Sequence, residues 1–470
     1  MREVIRLHKV EIENLQNVEH GTIVLSPRSS SQYETPHANV LGIYGQNGSG
    51  KTTYVHAMKL LKQVLSGEAL GMHSLPYITV DKEAAKLTVS FELALDHRSY
   101  YVDYGVSLRK NNETDIEGNK LSALEVYINE EELKVSTWQQ EKWSVKRTLI
   151  KQSQADEKVF SPQRLVKELA DYHVDLLVAK KMARKQGTSF FFSDDALKIF
   201  AQCGNQELQD VLPALRKYGR QYLYVIDTRG WGPISMNIGL PLYFRVEDSK
   251  KKRLTAGTVL FRLDGPTILP KSSYGPLTKA IALMNPVLAE LVPDMKLILQ
   301  PMGKQILPDG EKGMSFEAMS IRSNKAIPLR YESEGIKKIV AILNMFIVAY
   351  AEPSITLVVD ELDAGIFEYL LGELLAIFEE SGQGQLIFTS HNLRPLETLH
   401  KNSIAFTTVN PKNRYIRLKN IKANNNLRSV YYNDIQLGGT DELLYEKTNN
   451  AAIRYALKKM AQQIVPAEEG

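Results

Sequence analysis

The chain has 470 residues, a formal net charge of +4, and 43% hydrophobic against 24% charged residues. That length exceeds what one hydrophobic core usually holds, so two or three structural units are expected. A charge this small excludes a globally basic polyanion binder and leaves only local basic patches to consider. The single cysteine, Cys203, excludes an internal disulfide and a cysteine-rich zinc module, which suits a reducing cytosol.

Residues 1–7 lack the apolar core of a signal peptide, and no leader is expected. Residues 4–24 alternate apolar and polar positions around Asn14-Leu15-Gln16-Asn17, which predicts two strands and a tight turn. Residues 26–38 are rich in Ser, Pro and His and read as a loop. Residues 39–44 form a short apolar run, followed by Gly45-Gln46-Asn47-Gly48-Ser49-Gly50-Lys51-Thr52 and then helical periodicity over residues 53–61.

Residues 85–135 predict antiparallel strands with turns at Asp96-His97 and Asn111-Asn112. Residues 161–186 and 194–218 predict helices, 220–275 strands with Gly and Pro breaks, and 276–292 a further helix. No repeat or sustained heptad occurs, so the middle of the chain reads as a compact insertion and not a long coiled coil. From about residue 315 the pattern becomes α/β: helix 334–350, strand 354–359, helix 367–380, strand 385–389, then short strands and a closing helix over 451–464. The longest apolar run, near 339–350, is too short to span a bilayer, so no membrane contact is expected.

The glycine-rich segment carries the clearest chemistry. Glycines let successive backbone N–H groups turn inward toward phosphate oxygens, and the following helix adds its positive end. In the pattern G-x-x-x-x-G-K-[ST], Gly45, Asn47, Gly48, Ser49, Gly50 and Thr53 cradle phosphates. Lys51 reaches the β- and γ-phosphates, and the Thr52 hydroxyl meets magnesium. The alternative, a glycine-rich turn without function, matches the pattern in roughly one chain of this size in a hundred, and the strand–loop–helix setting decides against it. ATP and Mg2+ are therefore the expected ligands.

A second element is Leu357-Val358-Val359-Asp360-Glu361, where an apolar strand delivers two carboxylates at its C-terminal end, the place where α/β sheets bind ligands. Asp360 is the candidate metal holder and Glu361 the candidate that polarises the attacking water. Buried strands often end in acids, so this element gains weight only beside the phosphate loop. Ser390-His391 ends the next strand. A lone histidine is more often structural, yet this position suits a γ-phosphate sensor. Tyr331-Glu332-Ser333-Glu334-Gly335 opens a helix, either as an ordinary cap or as an anion-sensing tip.

Together these elements resemble the ABC-type ATPases, in the branch containing SMC, Rad50, RecF and OLD-like proteins. The opening residues Leu7 through Val18 look like that branch's first strands, and the matching regions cover roughly residues 1–95 and 315–420. The resemblance implies an α/β, ABC-type P-loop NTPase head with a compact α+β insertion between the phosphate loop and the signature. The implied organisation is an N-terminal lobe over 1–95, an insertion over 96–314 and a C-terminal lobe over 315–470. It implies that Ser333 and Gly335, standing as ESEG, complete the ATP site of a second protomer in a head-to-tail dimer or higher oligomer. Asp363 takes the D-loop position and His391 that of the switch histidine. The Q-loop glutamine finds no match.

Glu332 through Lys338, Asp360 through Tyr369 and Phe388 through Arg394 resemble bacterial AAA-15/21-type ATPases of phage-defence and abortive-infection loci, the AbiL- and RloA-like proteins. That implies a cytoplasmic antiviral-defence ATPase controlling a separately encoded effector, often a Toprim-type nuclease; RecF- or Rad50-like DNA clamping is the other function in view. About 80 residues follow His391, with no Asp-x-Asp pair among them, so no intrinsic nuclease is expected. Within the insertion, Lys250-Lys251-Lys252-Arg253, Lys180 to Lys185, Tyr100, Tyr101, Tyr104 and Phe190-Phe191-Phe192 could form a nucleic-acid surface. The stronger expectation makes the charges solvated surface and the aromatics core.

Overall fold

A computed structural model describes residues 3–26, 37–71, 74–96, 98–111, 125–156, 158–248, 253–418, 426–437 and 442–464. Its first part runs β1 (Val4–Leu15), β2 (Val18–Val24), β3 (Asn39–Tyr44), α1 (Lys51–Ser66), β4 (Ala84–Ala94), β5 (Ser99–Lys110), β6 (Val126–Gln139), β7 (Lys142–Trp143) and β8 (Arg147–Ser153). Four helices follow, α2 (Gln163–Glu168), α3 (His173–Gln186), α4 (Asp194–Phe200) and α5 (Gln206–Lys217). Then come β9 (Leu223–Ile226), α6 (Gly232–Ser235), β10 (Gly239–Asp248), β11 (Arg253–Arg262), β12 (Thr267–Pro270), α7 (Lys271–Leu291), β13 (Lys296–Ile306), β14 (Lys312–Arg322) and β15 (Lys325–Pro328). The last part is α8 (Glu334–Ala351), β16 (Thr356–Val359), α9 (Glu368–Ser381), β17 (Gln385–Thr389), α10 (Pro395–Thr398), β18 (Ile404–Thr407), β19 (Tyr415–Ile416), α11 (Leu427–Leu437) and α12 (Asn450–Ile464).

Two sheets carry the architecture. The core sheet has the order β19-β18-β3-β17-β16-β9 and is parallel except for β19. Strands β16, β17 and β18 are buried at every position, as expected of parallel strands covered on both faces. That explains their unbroken apolar sequences: alternation has no use where neither face meets water. The second sheet, β2-β1-β4-β5-β6-β7 with β8 on β6, is antiparallel. Leu87, Val89, Phe91 and Leu93 of β4 point into the protein, with period-two alternation. This pairing of a P-loop core with an antiparallel sheet is the ABC-type P-loop fold.

Several sequence expectations need correction. The boundary at 95/96 falls in the β4–β5 hairpin, where Leu95 N–H donates to the carbonyl of Arg98 at 2.9 Å, so one sheet crosses it. The boundary at 314/315 falls inside β14. Residues 96–314 are not a separate insertion either, because β9 pairs in parallel with β16 in the core sheet. Residues 161–186 divide into α2 and α3 around a tight turn at 170–172, and 194–218 divide into α4 and α5. The structure adds α11, for which the sequence reading offers only short strands.

The turn residues His97 and Asn112, most of the loop at 26–38 and Lys250-Lys251-Lys252 lie outside the described residues. Tyr100, Tyr104 and Phe190 to Phe192 are core, as the stronger reading holds. Lys180 is not a solvated basic group: it is buried, and its Nζ donates to the carbonyls of Ser153 at 2.6 Å and Lys158 at 2.8 Å. Among the described residues, no helix is long and apolar enough to cross a membrane.

Candidate nucleotide site

Strand β3 is short, apolar and central, and the chain leaves its C-terminal end at Gly45. A Cβ there would sit 1.8 Å from Thr407 Oγ1 of β18, so only glycine lets the loop turn against its neighbour. Ser49 Oγ donates to the Gln46 carbonyl at 2.6 Å and also meets the Thr407 hydroxyl, which closes the loop. Gly50 caps α1 in the left-handed region at φ +97° with no side-chain cap. The first N–H groups of the helix therefore stay directed at whatever enters, with the positive end of the dipole behind them. The Lys51 side chain curls back, and its Nζ donates to the carbonyls of Gly45 at 2.8 Å and Gln46 at 2.9 Å. Burial lowers its pKa, while Asp360, Glu361 and Asp363 oppose that shift.

Strand β16 brings Asp360 and Glu361 to the same end of the sheet. Asp360 is fully buried. Its Oδ1 accepts from Thr389 Oγ1 at 2.5 Å and lies 3.5 Å from Thr52 Oγ1, while its Oδ2 has no hydrogen-bond partner. An orphaned carboxylate oxygen in so dry a place is costly, and a hard cation taken jointly with the Thr52 hydroxyl would satisfy it. The residues thus fit Mg2+. Glu361 is exposed at φ +50°, a left-handed conformation rare for a side chain other than glycine. Its N–H is held by Thr389 Oγ1 at 2.8 Å, and such strain gathers at functional sites.

The residues converge on a cleft of about 260 Å3 lined by Asn47, Gly48, Lys51, Thr52, Asp360, Glu361 and His391, among others. Asp363 lies behind His391: its Oδ2 accepts from His391 N–H at 3.2 Å and Asn392 N–H at 3.0 Å, and its Oδ1 is buried without a partner. Ser333 and Gly335 are not brought to this cleft. Ser333 caps α8 through Ile336 N–H at 3.4 Å.

Other residues of the site escape the sequence reading. Asn17 is read there only as a turn, yet it accepts from Thr53 Oγ1 at 2.7 Å and donates to the Gly48 carbonyl. Arg414 holds the Asn17 carbonyl at 2.7 Å, and Tyr415 OH donates to the Gly50 carbonyl at 2.8 Å. Thr389 stands one residue before Ser390-His391, and its place at a core strand end is the signal that could find it. Strand β9, beside β16, ends at Ile226 and is followed by Asp227, with no glutamine there. Cys203 is a packed thiol whose pKa is raised by burial.

Residues 9–210 match the AAA_23 family, an AAA domain. No curated protein matches the chain. Among solved structures, the SMC head bound to the C-winged helix domain of ScpA aligns at TM-score 0.41 and 14% identity, over 88% of this chain and 97% of that one. The SMC head domain from Thermotoga maritima aligns at 0.36 and 13%, over 88% and 100%. The recombination mediator protein RecF with ATP aligns at 0.34 and 15%, over 83% and 94%. The assignment stands on strand order and cleft geometry: the chain has the ABC-type P-loop fold, with an AAA domain match over residues 9–210.

Proposed function

We propose that this chain hydrolyses ATP in the cleft between α1 and the ends of β16 and β17, in an assembly of two or more copies. The observation that supports it most is the convergence of Lys51, Thr52, Asp360, Glu361 and His391 on one cleft. On this reading the loop N–H groups and Lys51 hold the phosphates, and Thr52 and Asp360 hold Mg2+. The metal would neutralise charge on the β- and γ-phosphate oxygens. Glu361 orients water and takes its proton, and His391 sits beside the γ-phosphate. Ser333 and Gly335, outside their own cleft, serve the cleft of a second copy, and Asp363 lines the contact.

The resemblance of the 332–338, 360–369 and 388–394 stretches supports a finer role: a sensor or regulatory subunit in anti-phage defence, controlling a separately encoded effector. DNA clamping of the RecF or Rad50 kind is the competing role. A groove on the antiparallel sheet is lined by Lys86, Lys134 and Lys151 interleaved with Asp103, Glu130 and Glu132, whereas a phosphate backbone calls for one sign of charge.

The test is ATP turnover with and without double-stranded DNA, together with the protein's mass in solution with and without ATP. DNA-independent turnover in a stable oligomer supports the defence role. Strong, salt-sensitive DNA stimulation with ATP-dependent dimerisation moves the assignment to a clamp. Absence of turnover in both refutes the ATPase reading.

A further inference from the structure

Residues 442–446 run back to the phosphate loop and deliver the last helix beside it. Leu444 is buried, the Leu443 carbonyl accepts from Val409 N–H at 2.8 Å, and Glu446 N–H donates to Gln46 Oε1 at 2.9 Å. After residues 447–449, α12 begins, and Asn449 Oδ1 caps it by accepting from Ala452 N–H at 2.9 Å. Residues 451–461 are all exposed, so no described part of the chain covers them. Ile453, Leu457 and Met460 recur at spacings of four and three and form one apolar stripe; Leu457 is 67% exposed. Arg454, Lys458 and Lys459 make the helix positive, and it contains no acid. A helix of 15 residues without tertiary packing is marginal in water.

The outward face of α9 has the opposite character. The helix buries Leu371, Leu375 and Phe378 against the core. Leu370, Leu374 and Ile377 stand on its other side at the same spacing of four and three, the leucines half-buried and Ile377 53% exposed. Glu373 and Glu380 are exposed beside them, and α9 contains no base. Among the described residues, neither of these glutamates pairs with a cation, and none of Arg454, Lys458 and Lys459 pairs with an acid.

We propose that α12 of one copy packs its apolar stripe on the outward face of α9 of a second copy. This rests on the reading above only in taking two or more copies to assemble. The sign of charge selects the pairing. Two α12 helices would set bases against bases, and two α9 helices acids against acids. Only α9 against α12 is complementary in charge while matching the apolar spacing. Both faces are open in the single chain, so neither helix has to leave its place. In a closed two-fold assembly the contact forms twice.

The test uses the full chain and sedimentation with and without ATP. Glu373→Lys with Glu380→Lys reverses the charge of α9, and Arg454→Glu with Lys458→Glu reverses that of α12. All four positions are exposed, and unchanged melting verifies that each variant folds. Each reversal alone should weaken self-association by roughly tenfold or more, and association of the unmutated chain should weaken as salt rises. Mixing the two variants restores opposite charges at both contacts of a mixed pair, so association should return to within about threefold of the unmutated chain. Reversed variants that associate normally overturn the contact. Rescue by all four changes in one chain, but not by mixing, places α12 on its own α9 and overturns the contact between copies. An α9 reversal without effect, beside an α12 reversal that no longer pellets with phosphatidylserine vesicles, assigns α12 to a lipid surface and overturns it too. Turnover of ATP without self-association overturns the contact and leaves the cleft reading standing. Charge-sensitive association without turnover supports the contact and overturns the cleft reading.

Discussion

Gly335 and Gly365 meet backbone to backbone: a Cβ on Gly335 would lie 1.9 Å from the Gly365 carbonyl oxygen. The contact joins the first turn of α8, which bears Ser333, to the turn after Asp363. Both glycines answer one requirement, since Gly365 sits at φ +80°, and any side chain on Gly335 would push the two turns apart. Gly335→Ala should therefore move the Ser333 tip. Overpacking of this kind costs about 1–3 kcal/mol, visible as a lower melting temperature. ATP affinity of the single protomer should be retained while turnover falls at least tenfold. Isothermal titration beside a turnover assay checks both, and full turnover would remove Gly335 from the mechanism.

On the proposed reading Glu361 is the water-orienting base: it is exposed on the cleft, with its backbone held by Thr389. Glu361→Gln keeps size and removes basicity, so turnover should fall by about 10² to 10⁴-fold with ATP still bound. The trapped nucleotide should then lengthen the life of any ATP-dependent dimer. Lys51→Ala should instead weaken ATP binding itself. Sedimentation with ATP separates the two: a stable dimer for the first variant, a monomer for the second. Unchanged turnover in Glu361→Gln would sink the assignment.

Thr389 donates to Asp360 Oδ1 and accepts from Glu361 N–H. One hydroxyl thus fixes the candidate metal carboxylate and the candidate base together. Thr389→Val preserves volume and deletes those bonds, so the fold should persist within about 1–3 kcal/mol. Turnover should drop, and the Mg2+ titration should shift to higher concentration. Chelation with EDTA should abolish turnover in both proteins. A Thr389→Val enzyme with an unchanged Mg2+ curve would show that Asp360 needs no such support.

Chemistry that lives within a few residues is legible in the sequence, and chemistry assembled across the fold is not. The phosphate loop is contiguous, and its strand and helix follow from adjacent apolar patterns. Asp360 and Glu361 end an apolar strand, a signal that gains weight only beside the phosphate loop. Trp231 meets the Asp360 carbonyl across a sequence separation of 129, and no local pattern encodes that pairing. The placement of β9 beside β16 is hidden for the same reason, since a four-residue strand in a mixed region does not reveal its sheet. Leu165, Leu169 and Leu176 are all buried and keep helix-compatible spacing, so periodicity carries no mark of the turn at 170–172.

Large apolar side chains are exposed in the segments that meet α8 near Ser333: Met236 is 73% exposed, Tyr331 71% and Phe367 69%. The contacts of Ser235 and Asn237 with α8, and of Gly335 with Gly365, bring their three segments together. On the proposed reading these side chains are buried against the second copy that Ser333 serves. In a Glu361→Gln background, Tyr331→Ser with Phe367→Ser should weaken ATP-dependent dimerisation by about 2 kcal/mol, or about 30-fold. ATP affinity should not change. Equal dimer affinity before and after substitution would place the contact elsewhere.

Glu131 gives a prediction for stability alone. Its carboxylate is fully buried and accepts from Tyr104 OH at 2.8 Å, Phe190 N–H at 2.9 Å, Gln152 Nε2 at 3.2 Å and Ser189 Oγ. It therefore pins the loop before α4 to β6. Burial still dominates and raises its pKa above the usual carboxylate range. With the folded-state pKa raised, the folded protein holds the proton to higher pH than the unfolded chain. Stability from this group is thus greatest below the unfolded-state pKa and declines as pH rises through the folded one. Glu131→Gln removes the ionisation, and the hydroxyls of Tyr104 and Ser189 can turn to accept from its amide. The difference in melting temperature, variant minus unmutated chain, should grow more positive from acid to neutral pH. Glu131→Ala leaves Phe190 N–H and Gln152 without their acceptor and should cost about 3–5 kcal/mol at acid pH, the cost shrinking as pH rises. A pH-independent difference between the Glu131→Gln variant and the unmutated chain would mean that Glu131 keeps an ordinary ionisation despite its burial.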